Sequence, residues 1–157
     1  MKLIPAGPVA GHPNEACAST ATAPLFTPDE WRQKAPEWPQ GQAAGVRLPN
    51  DHDIENLGDH VHRLSLVALE FPKWTDGRAY SQARLLRSRL RFRGEVRAVG
   101  EVLVDMLPLL QRTGFDAAQL RADQKPEAAT RILNRFSGHY QGDVLDPRPH
   151  FARQEQV

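Results

Sequence analysis

The feature that most restricts the fold is the run Leu64–Phe71, LSLVALEF, apolar almost without interruption and closed by Pro72. A short run of this kind reads as a strand covered on both faces, the pattern of a parallel sheet packed under helices. The loop KWTDGR follows. From Tyr80 to Arg91 the spacing turns helical, with Tyr80, Ala83, Leu86 and Leu90 on the inner face and Arg84, Arg87 and Arg91 on the outer one. Gly94 stops that run, and Glu95–Val99 alternates as a second strand. Strand, helix and strand at these lengths predict a parallel pair joined by a right-handed crossover.

The remaining chain repeats the unit. Residues 1–24 are dominated by Ala, Pro, Gly, Ser and Thr and read as a flexible N-terminal arm, in which Leu3 and Ile4 are the pair able to dock as a short strand. Thr27-Pro28-Asp29-Glu30 has the form of a capped helix start, with Trp31 turned inward. Val46–Leu48 is a short strand. Asn50-Asp51-His52-Asp53 is a polar turn whose last Asp caps the helix IENLGDHVHR, shortened by Gly58. A helix capped by Asp105 keeps Pro108 in its first turn and ends at Gly114; Phe115–Leu120 is a further strand, and Asp123–Phe136 a last helix. The expected fold is α/β, a small parallel β-sheet of three or four strands with alternating helices in one domain over 25–142, followed by a loose tail over 143–157. A sheet this small invites a homodimer that extends or covers it, and a piece of barrel-like architecture stays open.

Composition limits function more than it assigns it. The net charge of +1 over 157 residues gives no general attraction to nucleic acid or acidic membranes. Locally, Asp76–Arg97 holds seven arginines against Asp76 and Glu95, an excess of five positive charges. Cys17 is the only cysteine, which excludes an internal disulfide and a cysteine-built metal cluster. No apolar run reaches the roughly 18 residues of a membrane span, and no secretory leader is legible, so the expected location is cytoplasmic. His60-x-His62 aligns its imidazoles only if extended, and no third ligand follows at zinc spacing. With neither GxGxxG nor GxxxxGK, no metal or cofactor is expected on this chain alone.

Ligands of open parallel sheets bind beyond the carboxyl ends of the strands, which selects the loops 73–78, 100–104 and 121–125. Lys73, Asp76 and Arg78, with Tyr80 and Ser81 in the next turn, and with Arg97, Glu101 and Asp105, form the candidate anion or ligand site. The structural alternative is that Thr75 or Asp76 caps the helix while Arg78 pairs with Glu101 or Asp105. No nucleophile–base arrangement is legible around Ser81, so catalytic residues are not assigned and enzyme status stays open. Arg84, Arg87 and Arg91 are either a solvated helix face or a ridge that docks an acidic partner.

The segments LPNDHDIENL, VALEFPKWTDGRAYSQARLLRSRL, GEVRAVGEVLVDM and RTGFDAAQLR resemble a bacterial family, domain of unknown function 934, over about Phe26–Tyr140. The most specific part is FP-x-x-TDGR-x-YS-x-ARLLR. The resemblance implies an accessory or subunit-like role in assimilatory sulfite reduction beside the sulfite reductase haemoprotein, with a small-anion-binding protein or enzyme, or a structural and regulatory protein, as alternatives. Family charged positions map onto Asp76, Arg78, Tyr80, Ser81, Arg84, Arg87, Glu95, Arg97, Asp105 and Asp116. The chain departs at Glu101, Val104 and Met106, where GDVLRDQ is common, and at Thr113, where RCGFD is usual; a thiol mechanism at that last position is thereby impossible here.

Overall fold

A computed structural model describes residues 1–4, 23–136 and 138–152. Its strands are β1 (Lys2–Ile4), β2 (Leu25–Phe26), β3 (Gly45–Leu48), β4 (Leu66–Phe71), β5 (Glu95–Gly100) and β6 (Ala117–Gln119), and its helices α1 (Pro28–Lys34), α2 (Arg78–Ser88), α3 (Leu107–Thr113) and α4 (Pro126–Leu133). All strand pairs are parallel, in the order β1-β6-β5-β4-β3-β2. The parallel α/β architecture is the expected one. The strand count is corrected: six among the described residues, not three or four. The additional edge strands, β1 and β2, hold three and two residues, too few to show a period. Residues 5–22, the rest of the expected flexible arm, lie outside the described residues.

Each strand from β3 to β6 lies beside its predecessor, and β1 stands beyond β6. With right-handed crossovers, such one-way winding places every helix on the same face of the sheet. The packing agrees. Val46, Leu48, Val67, Leu69, Phe71, Val96, Ala98 and Ala118 join one core with Trp31 of α1, Ala79, Ala83 and Leu86 of α2, Leu107 and Leu110 of α3, and Ala129 of α4. The alternate strand residues Ala68 and Val99 form a separate small cluster with Leu25. The expectation of helices on both faces is thus corrected. The order is that of a parallel barrel lacking only a β1–β2 pairing.

The second face combines that small apolar cluster with charged pairs. Arg47 Nε donates to Glu70 Oε1 at 2.9 Å, and Arg97 Nε to Glu95 Oε1 at 2.7 Å. Arg97 is 1% exposed there, a charged group tolerated by its ion pair.

Local chemistry explains the boundaries. Thr27 and Glu30 form a reciprocal capping box, the Thr27 N–H donating to Glu30 Oε2 and the Glu30 N–H to Thr27 Oγ1. Trp31 is buried, packs on Phe26 and Trp38, and donates its indole N–H to the His60 carbonyl. Between β3 and β4, Ile54–Arg63 winds as 3-10 turns broken at Gly58. Pro108 sits in the first turn of α3, which a 3-10 turn at Val104–Met106 precedes, and Gly114 closes the helix with φ +104°. Helix α2 ends at Ser88, short of the expected Arg91, and α4 covers only Pro126–Leu133 of the expected Asp123–Phe136. In the segment 143–152, Asp143 accepts from the Leu145 and Asp146 N–H groups in a local turn, and Val144 N–H donates to the Arg112 carbonyl. No helix of the described residues is long and apolar enough to cross a membrane.

Candidate functional site

The parallel sheet brings the loops after β3, β4, β5 and β6 to one edge. After β4 the chain turns through Lys73–Gly77 into α2. Arg78 forks back onto Asp76, Nε to Oδ1 at 3.0 Å and Nη2 to Oδ2 at 2.7 Å, while Asp76 Oδ1 also accepts from the Arg78 N–H. These bonds hold the Asp76 carboxyl well below the usual carboxylate range and raise the Arg78 guanidinium. The expected partners of Arg78 are corrected: it pairs with Asp76, not with Glu101 or Asp105. Neither Thr75 nor Asp76 is the N-cap residue of α2, which is Gly77 without a side-chain cap; Asp76 instead accepts from the first helical N–H, that of Arg78.

Glu101 is engaged elsewhere. It accepts from Arg121 Nη1 at 2.6 Å, and Arg121 forks onto Asp123 with two bonds of 2.7 Å. Asp105 is exposed in the turn before α3. Lys73 and Ser81 are exposed, and among the described residues neither side chain forms a hydrogen bond or ion pair, although the Lys73 carbonyl accepts from the Asp76 N–H at 3.0 Å. Tyr80 packs edge-on against Phe71, with ring centroids 5.1 Å apart, and burial raises its hydroxyl pKa. Arg97 does not join this loop, because it projects from β5 on the face away from the helices. The edge therefore collects Lys73, Asp76 and Arg78 as one group and Glu101 with Arg121 as another.

The arginine ridge also divides. Arg84 is exposed on α2, whereas Arg91 lies beyond the helix with φ +52°. Arg87 turns inward: Nε donates to the Gly114 carbonyl, Nη1 to the carbonyls of Phe92 and Gly94, and Nη2 pairs with Asp116. Its guanidinium is committed within the fold, so it is not a docking group.

Sequence reasoning missed four residues at this edge. Gln82, on the buried face of α2, donates Nε2 to the carbonyls of Pro49 at 2.9 Å and His52 at 2.8 Å, pinning the turn after β3 to the helix. Gln82 Oε1, Asn50 Nδ2 and His52 Nε2 are buried without a hydrogen-bond partner. The Asn50 amide approaches Asp76 closely enough to help lower its pKa, without reaching good hydrogen-bond geometry. Trp74 is 56% exposed in the loop. The available signals were a glutamine within an otherwise apolar helix face and a tryptophan flanked by lysine and a turn.

Residues 45–151 match the family described as bacterial protein of unknown function (DUF934). The chain belongs to the DUF934 family. No curated protein matches it. In this DUF934 chain the departures at 106 and 113 are absorbed by packing. Met106 is buried, with its sulfur 3.3 Å from the Leu103 N–H, and the Thr113 hydroxyl donates to the carbonyl of Leu109 at 2.9 Å. No group of three His, Cys, Asp or Glu side chains converges as a metal site among the described residues.

The Arg121–Asp123 fork carries a pH signature. Arg121 holds the Asp123 carboxyl down to about 2, against an ordinary value of 3.8. A depressed folded-state value means that the stabilisation is complete above about pH 4 and is lost as pH falls towards 2. Asp123→Asn should therefore lower the urea midpoint at about pH 5, with the difference from wild type closing near about pH 2. An equal difference at both values would show that the pair does not act through its charge.

Proposed function

We propose that this DUF934 protein is an accessory or subunit-like component of assimilatory sulfite reduction in the cytoplasm, docking on the sulfite reductase haemoprotein through the carboxyl edge of its sheet. The family motif around TDGR supports the role by resemblance, and the exposed Trp74 carries the choice of surface. A half-exposed indole beside Lys73 and the Asp76–Arg78 fork has the composition of an interface anchor, an aromatic surrounded by polar and cationic groups. Its partner surface would be acidic with an apolar pocket.

The test is co-purification of tagged protein from cells grown on sulfate as sole sulfur source. Wild type should retain the haemoprotein, and Trp74→Ala should reduce its recovery by about tenfold or more with the fold unchanged by circular dichroism. Absence of the haemoprotein from the wild-type sample, or undiminished recovery with Trp74→Ala, would refute this docking. Recovery of a second copy alone would point to the homodimer instead.

The unpartnered buried atoms of Asn50, His52 and Gln82 favour a second reading, in which a small anion or polar ligand reaches the same edge beside Lys73 and Arg78. That reading requires sulfite, sulfate or phosphate to raise the melting temperature of wild type but not of Arg78→Ala.

A further inference from the structure

We propose that the opposite, amino edge of the sheet carries an oxyanion site formed by His62, Arg91 and Arg93, which takes a small phosphate- or sulfate-bearing molecule. A crevice of about 510 Å³ opens there, lined by His62, Leu64, Arg91, Phe92, Arg93 and Gly94. No carboxylate is among these residues. Most arginines nearby are occupied: Arg63 donates to the Ala35 and Trp38 carbonyls, Arg87 is enclosed, and Arg89 pairs with Glu55 at 2.5 Å. Arg91 and Arg93, by contrast, are exposed, and among the described residues neither makes a hydrogen bond or ion pair. Two uncompensated guanidiniums and an imidazole around one concavity concentrate positive potential where an oxyanion fits.

The backbone supports the site. Arg91 has φ +52°, a region that L-residues other than Asn and Asp seldom occupy, and strain of this sort clusters at functional positions. The loop is fixed from beneath: Arg87 Nη1 binds the Phe92 carbonyl at 2.7 Å and the Gly94 carbonyl at 2.9 Å, and the Phe92 N–H donates to the Leu86 carbonyl at 2.9 Å. Both arginines therefore extend from a backbone already held in place, which lowers the ordering cost of binding. A second crevice of about 530 Å³ shares His62 and Leu64 and adds Gln40, Gln42 and Ser65. It offers room and hydrogen-bonding groups for a polar body attached to the anion. Concave volumes of this size suit a small molecule better than a flat acidic protein face.

This site lies at the far end of the strands from Trp74, so its test is separate from the haemoprotein reading. Full-length protein is titrated calorimetrically with pyrophosphate, sulfate, AMP and adenosine. Pyrophosphate and AMP are expected to bind with Kd below about 1 mM and adenosine not to bind, the sulfate arm telling which oxyanion is preferred. Arg93→Ala and Arg91→Gly should each weaken binding about tenfold, glycine being chosen because it accepts the backbone angle at residue 91. Arg131→Ala, on the exposed side of α4, should leave binding unchanged. No binding of any oxyanion, binding that survives the Arg91→Gly/Arg93→Ala double variant, or an equal loss with Arg131→Ala would each overturn the proposal.

Discussion

Arg87→Ala is expected to lower the free energy of unfolding by about 3 kcal/mol, because it removes several bonds at once. The Arg87 side chain is 14% exposed and joins three otherwise separate parts of the chain: the end of α3 through Gly114, the loop into β5 through Phe92 and Gly94, and the start of β6 through Asp116. Alanine would leave these carbonyls facing a void, and buried acceptors without donors cost more than the net value of the bonds they lose. Asp116 also accepts from the Val96 N–H, so its carboxylate retains one partner. Arg87→Lys should recover less than half of the loss, since one ammonium cannot span a fork of acceptors lying in several directions. Urea unfolding followed by tryptophan fluorescence measures both variants. A wild-type midpoint for Arg87→Ala would mean that the guanidinium is only a solvated surface group.

Gly100→Ala should cost a similar amount, about 3 kcal/mol, by a backbone mechanism. Gly100 ends β5 with φ +95°, outside the ordinary range of an L-residue, and a Cβ there would stand 2.5 Å from the Phe71 carbonyl oxygen. That carbonyl accepts from the Glu101 N–H at 2.8 Å, so relief of the overlap would break the link between the ends of β4 and β5. The same movement would displace Glu101 from Arg121, and the loss should appear as a lower melting temperature. A variant with the wild-type melting temperature would refute the steric reading.

How much of this was legible follows from how far each interaction reaches along the chain. Asp76 and Arg78 were readable as members of one loop because they are two residues apart, but the fork between them was not, since Arg78 was expected to reach Glu101 or Asp105. Pro108 and Gly114 announced the bounds of α3 through properties of single residues. Arg87 was not readable as an internal clamp, since its partners Gly114 and Asp116 lie 27 and 29 residues away and an arginine on the polar side of a helix looks like any solvated cation. Arg97 was assigned to the loop by its charge, yet alternation along β5 sends it to the opposite face. Gln82 was hidden by a different ambiguity: its polarity opposes burial until the carbonyls of Pro49 and His52 are placed beside it.

The sequence by itself determined the alternation of strands and helices, the parallel character of the sheet, the capped start of α1 and the family. Those properties arise from periodicity, caps and backbone restrictions that act within a few residues. The tertiary structure alone decided that the sheet has six strands, that it winds in one direction with its helices on one face, and that Arg87 is spent inside while Arg91 and Arg93 face a crevice. Each of these depends on which distant segment lies beside which. Local residue pattern leaves that choice open, and the register of the assembled sheet closes it.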